Sequence, residues 1–137
     1  MNEMISITTM VNVPVEKAWQ CWTEPEHIIH WNNASADWHT THAEVELRAG
    51  GKFLSRMEAR NGSMGFDYSG VYDEVKVHEL IACTLDDGRK LTISFKTEGN
   101  TTKVIETFEA ESENPVELQQ SGWQAILDNF KKYTETN

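Results

Sequence analysis

The sequence predicts a single α+β domain over residues 1–137: a curved antiparallel β-sheet wrapped around a long C-terminal helix, with two short helices after strand 1. Three observations predict it. Between residues 43 and 110, short segments alternate apolar and polar side chains and are separated by Gly-containing turns. The stretch 114–133 instead places Trp123, Ile126, Leu127, Phe130 and Tyr133 at helical spacing, which makes one apolar stripe. A sheet with one solvated face needs cover on the other, and this helix has the apolar surface to supply it.

Each element follows from local chemistry. Residues 3–11 carry Ile5, Ile7, Thr8, Thr9 and Val11 and read as a strand. Pro14 opens a helix whose Val15, Ala18, Trp19 and Trp22 share a face, and Thr23-Glu24-Pro25 breaks it. A second short helix presents Ile28, Ile29 and Trp31. Residues 32–42 read as polar and irregular apart from Trp38. The segment 43–48 alternates, with Val45 and Leu47 inward, and Gly50-Gly51 turns it back.

Along 52–60, Phe53, Ser55, Met57 and Ala59 share a face. Asn61-Gly62 is a hairpin signal, and the strand 64–75 then presents Phe66, Tyr68, Gly70 and Tyr72 on one side. Residues 78–85 form a further strand, Asp86-Asp87-Gly88 a turn, and Leu91, Ile93 and Phe95 the inner face of the next. Gly99-Asn100 leads into 101–110, where Thr102, Val104, Glu106, Phe108 and Ala110 are the more apolar set and should face the helix. The last helix starts with Asn114 as N-cap, Pro115 at the first position and Glu117 three residues past the cap. Gln119 and Gln120 turn its stripe polar at that end, as expected of a helix that closes a ligand cavity.

Bulk properties narrow the function classes. A formal net charge of −10 argues against nucleic-acid or anionic-membrane partners. No apolar run reaches transmembrane length, and Met1–Val11 lacks a basic start and a cleavage motif, so a cytoplasmic protein is expected. The two cysteines, Cys21 and Cys83, have no CxxC spacing and read as free buried thiols.

The element order, together with Pro14–Trp19, Trp22–Pro25, Glu46–Arg48, Gly50-Gly51, Gly70–Val75 and Gly122–Leu127, resembles the START-like helix-grip superfamily, also called SRPBCC. Within it the chain is similar to the family named after the activator of heat-shock protein 90 ATPase. The resemblance implies the helix-grip fold. It also implies a set of precedents that includes lipid and hormone carriers, polyketide cyclases and self-sacrificing resistance proteins. The eukaryotic activators carry an additional N-terminal domain that engages the chaperone. This sequence matches only their C-terminal-type domain, so a chaperone contact is the weakest of the partner expectations.

Other chemistries find little support. His27/His30 and His39/His42 repeat an HxxH spacing suited to zinc, but neither pair has a full ligand set, and no metal is expected. There is no Gly-x-Ser-x-Gly elbow, and Gly50-Gly51 lacks any phosphate-binding context, so no cofactor is expected either. The inward aromatics carry the argument. Phe53, Phe66, Tyr68, Tyr72 and Phe95 from the strands meet Trp31 and Trp123 from the helices, Trp123 chiefly as packing. Ser55, Met57, Glu106 and Gln120 add a few polar or polarisable groups, which is the make-up of a small-molecule site. The leading expectation is a cavity for an apolar or aromatic ligand. A cyclase- or hydratase-like enzyme using Glu106 and a tyrosine is one alternative, and a protein-interaction module with an acidic outer surface is another.

Overall fold

The computed structural model describes residues 3–137. Met1 and Asn2, the start of the Met1–Val11 segment considered above for a leader, lie outside the described residues. Strand β1 (Met4–Val11) is followed by helices α1 (Val15–Thr23) and α2 (Pro25–Trp31). A meander then runs through β2 (Trp38–Val45), β3 (Lys52–Ala59), β4 (Gly65–Lys76), β5 (Leu80–Leu85), β6 (Lys90–Glu98) and β7 (Thr101–Glu109). Helix α3 (Val116–Thr136) ends the chain. All pairings are antiparallel, in the order β1-β7-β6-β5-β4-β3-β2, and the sheet curls into a half-barrel around α3.

The core follows the two periodicities. Thr102, Val104, Glu106 and Phe108 of β7 and the adjoining Ala110 are all buried, and so are Leu91, Ile93 and Phe95 of β6. From α3, Leu127 and Phe130 are completely buried. Short α1 and α2 hold their places through aromatic contacts. The rings of Trp22 and Trp31 lie 4.9 Å apart, and Phe130 packs edge-on to both, at 4.8 and 5.1 Å. The Trp31 indole N–H donates to the Cys21 carbonyl at 2.9 Å, so this buried polar atom is satisfied.

Two elements differ from expectation. The strand placed at 43–48 actually runs from Trp38 to Val45, including residues read as irregular. A bulge between Thr40 and His42 shifts its register, so Thr40 and Ala43 are both buried and the alternation breaks where the strand begins. Glu46, Leu47 and Arg48 lie beyond its end, with Leu47 still packed on the core. At α3, Pro115 and not Asn114 occupies the N-cap, with no side-chain cap bond. The work falls to buried Gln119. Its Oε1 accepts from the Glu111 N–H at 2.8 Å, and its Nε2 donates to the carbonyls of Glu111 and Asn114 at 3.1 and 2.8 Å. That amide ties the β7–α3 loop to the first turn of the helix.

Candidate functional site

The curl of the sheet and the size of its side chains leave a space between sheet and helix. At Gly70 on β4, an added Cβ would come within 2.9 Å of the Phe53 ring and 2.5 Å of the Thr84 carbonyl oxygen. Glycine therefore lets the Phe53 ring approach the strand closely between Tyr68 and Tyr72, whose rings are 5.8 and 5.2 Å from it. On the opposite wall Trp123 stacks on Phe108 at 3.9 Å and 11°, and meets Tyr68 edge-on at 6.2 Å. Between them is a cavity of about 300 Å³ with a predominantly apolar wall.

Nine of the residues expected in the site line this space: Trp31, Phe53, Ser55, Met57, Phe66, Tyr68, Tyr72, Glu106 and Trp123. Phe66 does so at the mouth, where it is 51% exposed and leans on Trp38 at 5.8 Å. Two do not reach it. Phe95 has inward parity, but α1 covers it: Trp19 and Trp22 pack edge-on at 5.2 and 6.1 Å, and it belongs to the core. Gln120 is exposed, because the inward position of that turn belongs to its neighbour Gln119. The polar end of the helical stripe is thus explained by loop anchoring.

Sequence reading missed several wall residues, chiefly Arg89, Cys83 and Ile93. Arg89 shares the parity of Leu91, Ile93 and Phe95, so extending the β6 pattern two residues back into the Asp86-Asp87-Gly88 turn would have found it. Its Nε donates to Asp87 at 2.8 Å and its Nη1 to the Glu109 carbonyl at 3.4 Å. These bonds hold the guanidinium, only 20% exposed, against the cavity. Its Nη2 has no hydrogen-bond partner among the described residues.

Glu106 dominates the electrostatics. It is 6% exposed, flanked across the sheet by Ile7 of β1 and Ile93 of β6, and makes no hydrogen bond or ion pair among the described residues. Burial without compensation pushes its carboxyl up to about 8. Glu106 is therefore mostly neutral at pH 7, an O–H donor as well as an acceptor. The Tyr68 hydroxyl lies deep although the residue as a whole is half-buried. Burial holds it well above the usual tyrosine value, the Glu106 charge pushes it further, and Arg89 pulls it down. Burial also raises Tyr72, and it raises Cys83 to about 12, so that thiol is a poor nucleophile. The hydroxyls of Ser55, Tyr68 and Tyr72 have no hydrogen-bond partner among the described residues.

Three of the four HxxH histidines are engaged elsewhere. His27 Nδ1 is 2.7 Å from the Tyr133 hydroxyl, His30 stacks on the same ring at 5.5 Å, and His42 lies 2.8 Å from Glu44. Among the described residues no three His, Cys, Asp or Glu side chains are grouped to hold a metal ion. Cys21 and Cys83 are free and buried. No helix among the described residues is long and apolar enough to cross a membrane.

A half-barrel of seven antiparallel strands closed on one long helix, with paired short helices after β1, defines a helix-grip α+β protein. The chain belongs to the family described as Activator of Hsp90 ATPase homolog 1-like protein, whose model matches residues 12–135. It is similar to the AHSA1-like protein of Aeromonas hydrophila, with 42% identity and a TM-score of 0.92 over 98% of this chain and 93% of that one. It is also similar to a protein of Cytophaga hutchinsonii, with 51% identity and a TM-score of 0.84 over 97% and 92%. A Chromobacterium violaceum protein at 20% identity shares the fold, with a TM-score of 0.87 over 98% and 99%. No curated protein matches the chain.

Proposed function

We propose that this protein binds a small apolar, ring-containing molecule in the cavity between the curled sheet and α3. The observation that carries the reading is the combination of a roughly 300 Å³ aromatic-walled space with inward polar groups that make no hydrogen bond among the described residues. Unmatched polar groups in an apolar wall lose solvation on folding, and a ligand that hydrogen-bonds them recovers it. Plain core packing would not leave the space. The chaperone link in the family's name plays no part in this reading.

NMR screening of flat aromatic and lipid compounds against labelled protein tests it. Binding predicts shifts concentrated on the inner faces of β3, β4 and β7 and on Trp123. Shifts confined to the outer charged face, or none at all, would contradict it.

One observation favours a second reading. A carboxyl with a pKa of about 8 exchanges protons readily near neutral pH, as the general acid of a cyclase or hydratase must. Turnover of a bound compound that is lost in Glu106→Gln would move the protein into that class.

A further inference from the structure

Arg89 and Glu106 both line the cavity, and the fold treats them differently. Arg89 stands just before β6, and Asp87 meets its charge at 2.8 Å. Glu106 sits in the middle of β7, 6% exposed, between Ile7 of β1 and Ile93 of β6. Among the described residues it has neither a hydrogen bond nor a cation, and burial is the one cause of its raised pKa. The β6–β7 register sets Glu106 opposite Ile93 and Phe108 opposite Leu91. Arg89 is therefore about 13 Å of strand away from the position facing Glu106. The guanidinium is balanced and the carboxyl is not.

We propose, building on the binding function above, that the cavity takes an apolar amine, its ring body against the aromatic wall and its protonated nitrogen donating to Glu106. An ammonium supplies both things the buried carboxyl lacks, a positive charge and N–H donors, and charge-assisted hydrogen bonds of this kind are the strong ones. The surroundings suit it. Ring faces attract a cation, and Phe108, the next inward residue of β7, stacks on Trp123 at 3.9 Å. Exposed Glu44 adds a second carboxyl to the cavity lining, and a chain of formal net charge −10 draws cations in preference to anions. A carboxylate ligand would be repelled by ionised Glu106, and an alcohol would leave it without a counter-charge.

Binding of an amine moves one proton. Free Glu106 titrates at about 8 and so holds its proton at neutral pH. An ammonium beside it favours the carboxylate, and the proton leaves to solvent as the ion pair forms. The other groups of the lining do not take it up. Burial keeps Tyr68 and Tyr72 of β4 and Cys83 of β5 protonated, and Arg89 stays charged beside Asp87. Glu44 of β2 is exposed and lies 2.8 Å from His42. Next to Glu106, β1 and β6 place Ile7 and Ile93, and α3 brings Trp123 and Ile126 to the cavity, none of which titrates.

Calorimetry with naphthalen-2-ylmethylamine and its neutral counterpart naphthalen-2-ylmethanol tests this. At about pH 7 the amine should bind on the order of tenfold more tightly than the alcohol. Titrations in buffers of different ionisation enthalpy should show about 0.9 proton released per amine bound, the fraction of Glu106 protonated at that pH, and none for the alcohol. Glu106→Gln keeps the shape of the side chain and should abolish both the preference and the proton release. The proton release, read on the parent alone, keeps the test decisive if the variant fails to fold. An amine bound no more tightly than the alcohol, or a preference and proton release that persist in Glu106→Gln, overturns the amine assignment and leaves the binding function standing. Failure of both probes to bind the parent overturns both.

Discussion

At the α1–α2 end of the space between sheet and helix, three large rings close on one another within about 5 Å, and the indole N–H of Trp31 is satisfied by the main chain. Along the rest of the cavity the wall of rings carries a carboxyl, a phenol and a guanidinium nitrogen with no hydrogen-bond partner among the described residues. The first region is packed as a core is packed, with the Trp31 indole N–H matched. The other gives up stability to keep donors unmatched, a common arrangement where a protein binds or reacts. Packing chemistry is thus a better guide to the site than residue type alone, because tryptophans and phenylalanines occupy both ends.

The largest separation between the two ends should come from pH. A Glu106 carboxyl at about 8 in the fold, against an ordinary 4.5, is protonated in both folded and unfolded chains below about pH 4.5 and costs nothing there. Between these values the unfolded chain releases a proton that the folded chain retains, so stability falls as pH rises, and the full loss is present above about 8. Its ceiling is on the order of 5 kcal/mol, at about 1.4 kcal/mol per pKa unit. Glu106→Gln should therefore gain stability over the parent at alkaline pH and little at acid pH. Denaturant melts of both proteins across the range check the sign, and a constant difference at all pH values would remove the contrast.

At the packed end, Phe130→Ala removes a completely buried ring packed edge-on against both Trp22 and Trp31 and should cost about 3–5 kcal/mol at any pH. The half-buried Trp123, on the cavity wall, should cost less when truncated, and thermal melts of the two alanine variants rank them. Smaller again is the effect at the helix start. Gln119→Leu leaves the Glu111 N–H and two carbonyls without their partner and should lose about 1–3 kcal/mol, whereas exposed Gln120→Leu should stay within about 0.5 kcal/mol. Equal costs at the two glutamines would mean that the loop is not held by this amide.

That adjacent pair also shows where the sequence stops being legible. Strand parity, turn glycines and the long helical stripe specify the architecture, because each element has one face that must be buried. Parity likewise carries Glu106 inward with Val104 and Phe108. It fails where the backbone departs from ideal repeat: the bulge after Thr40 hides the start of β2, whereas in α3 the regular period counted back eight residues from Leu127 selects Gln119 as the inward glutamine. It also says which face a side chain takes but not what else lies on that face. Phe95 points inward into α1 and Arg89 points inward into the cavity, and only the course of the chain distinguishes them.

NMR titration of the Glu106 side-chain carboxyl tests most directly the claim that one end of the cavity is left unmatched. An uncompensated carboxyl among Ile7, Ile93 and aromatic rings should titrate with a midpoint of about 8. A midpoint at the ordinary 4.5 would mean that Glu106 is paired or solvated, and that both ends of the cavity are finished alike.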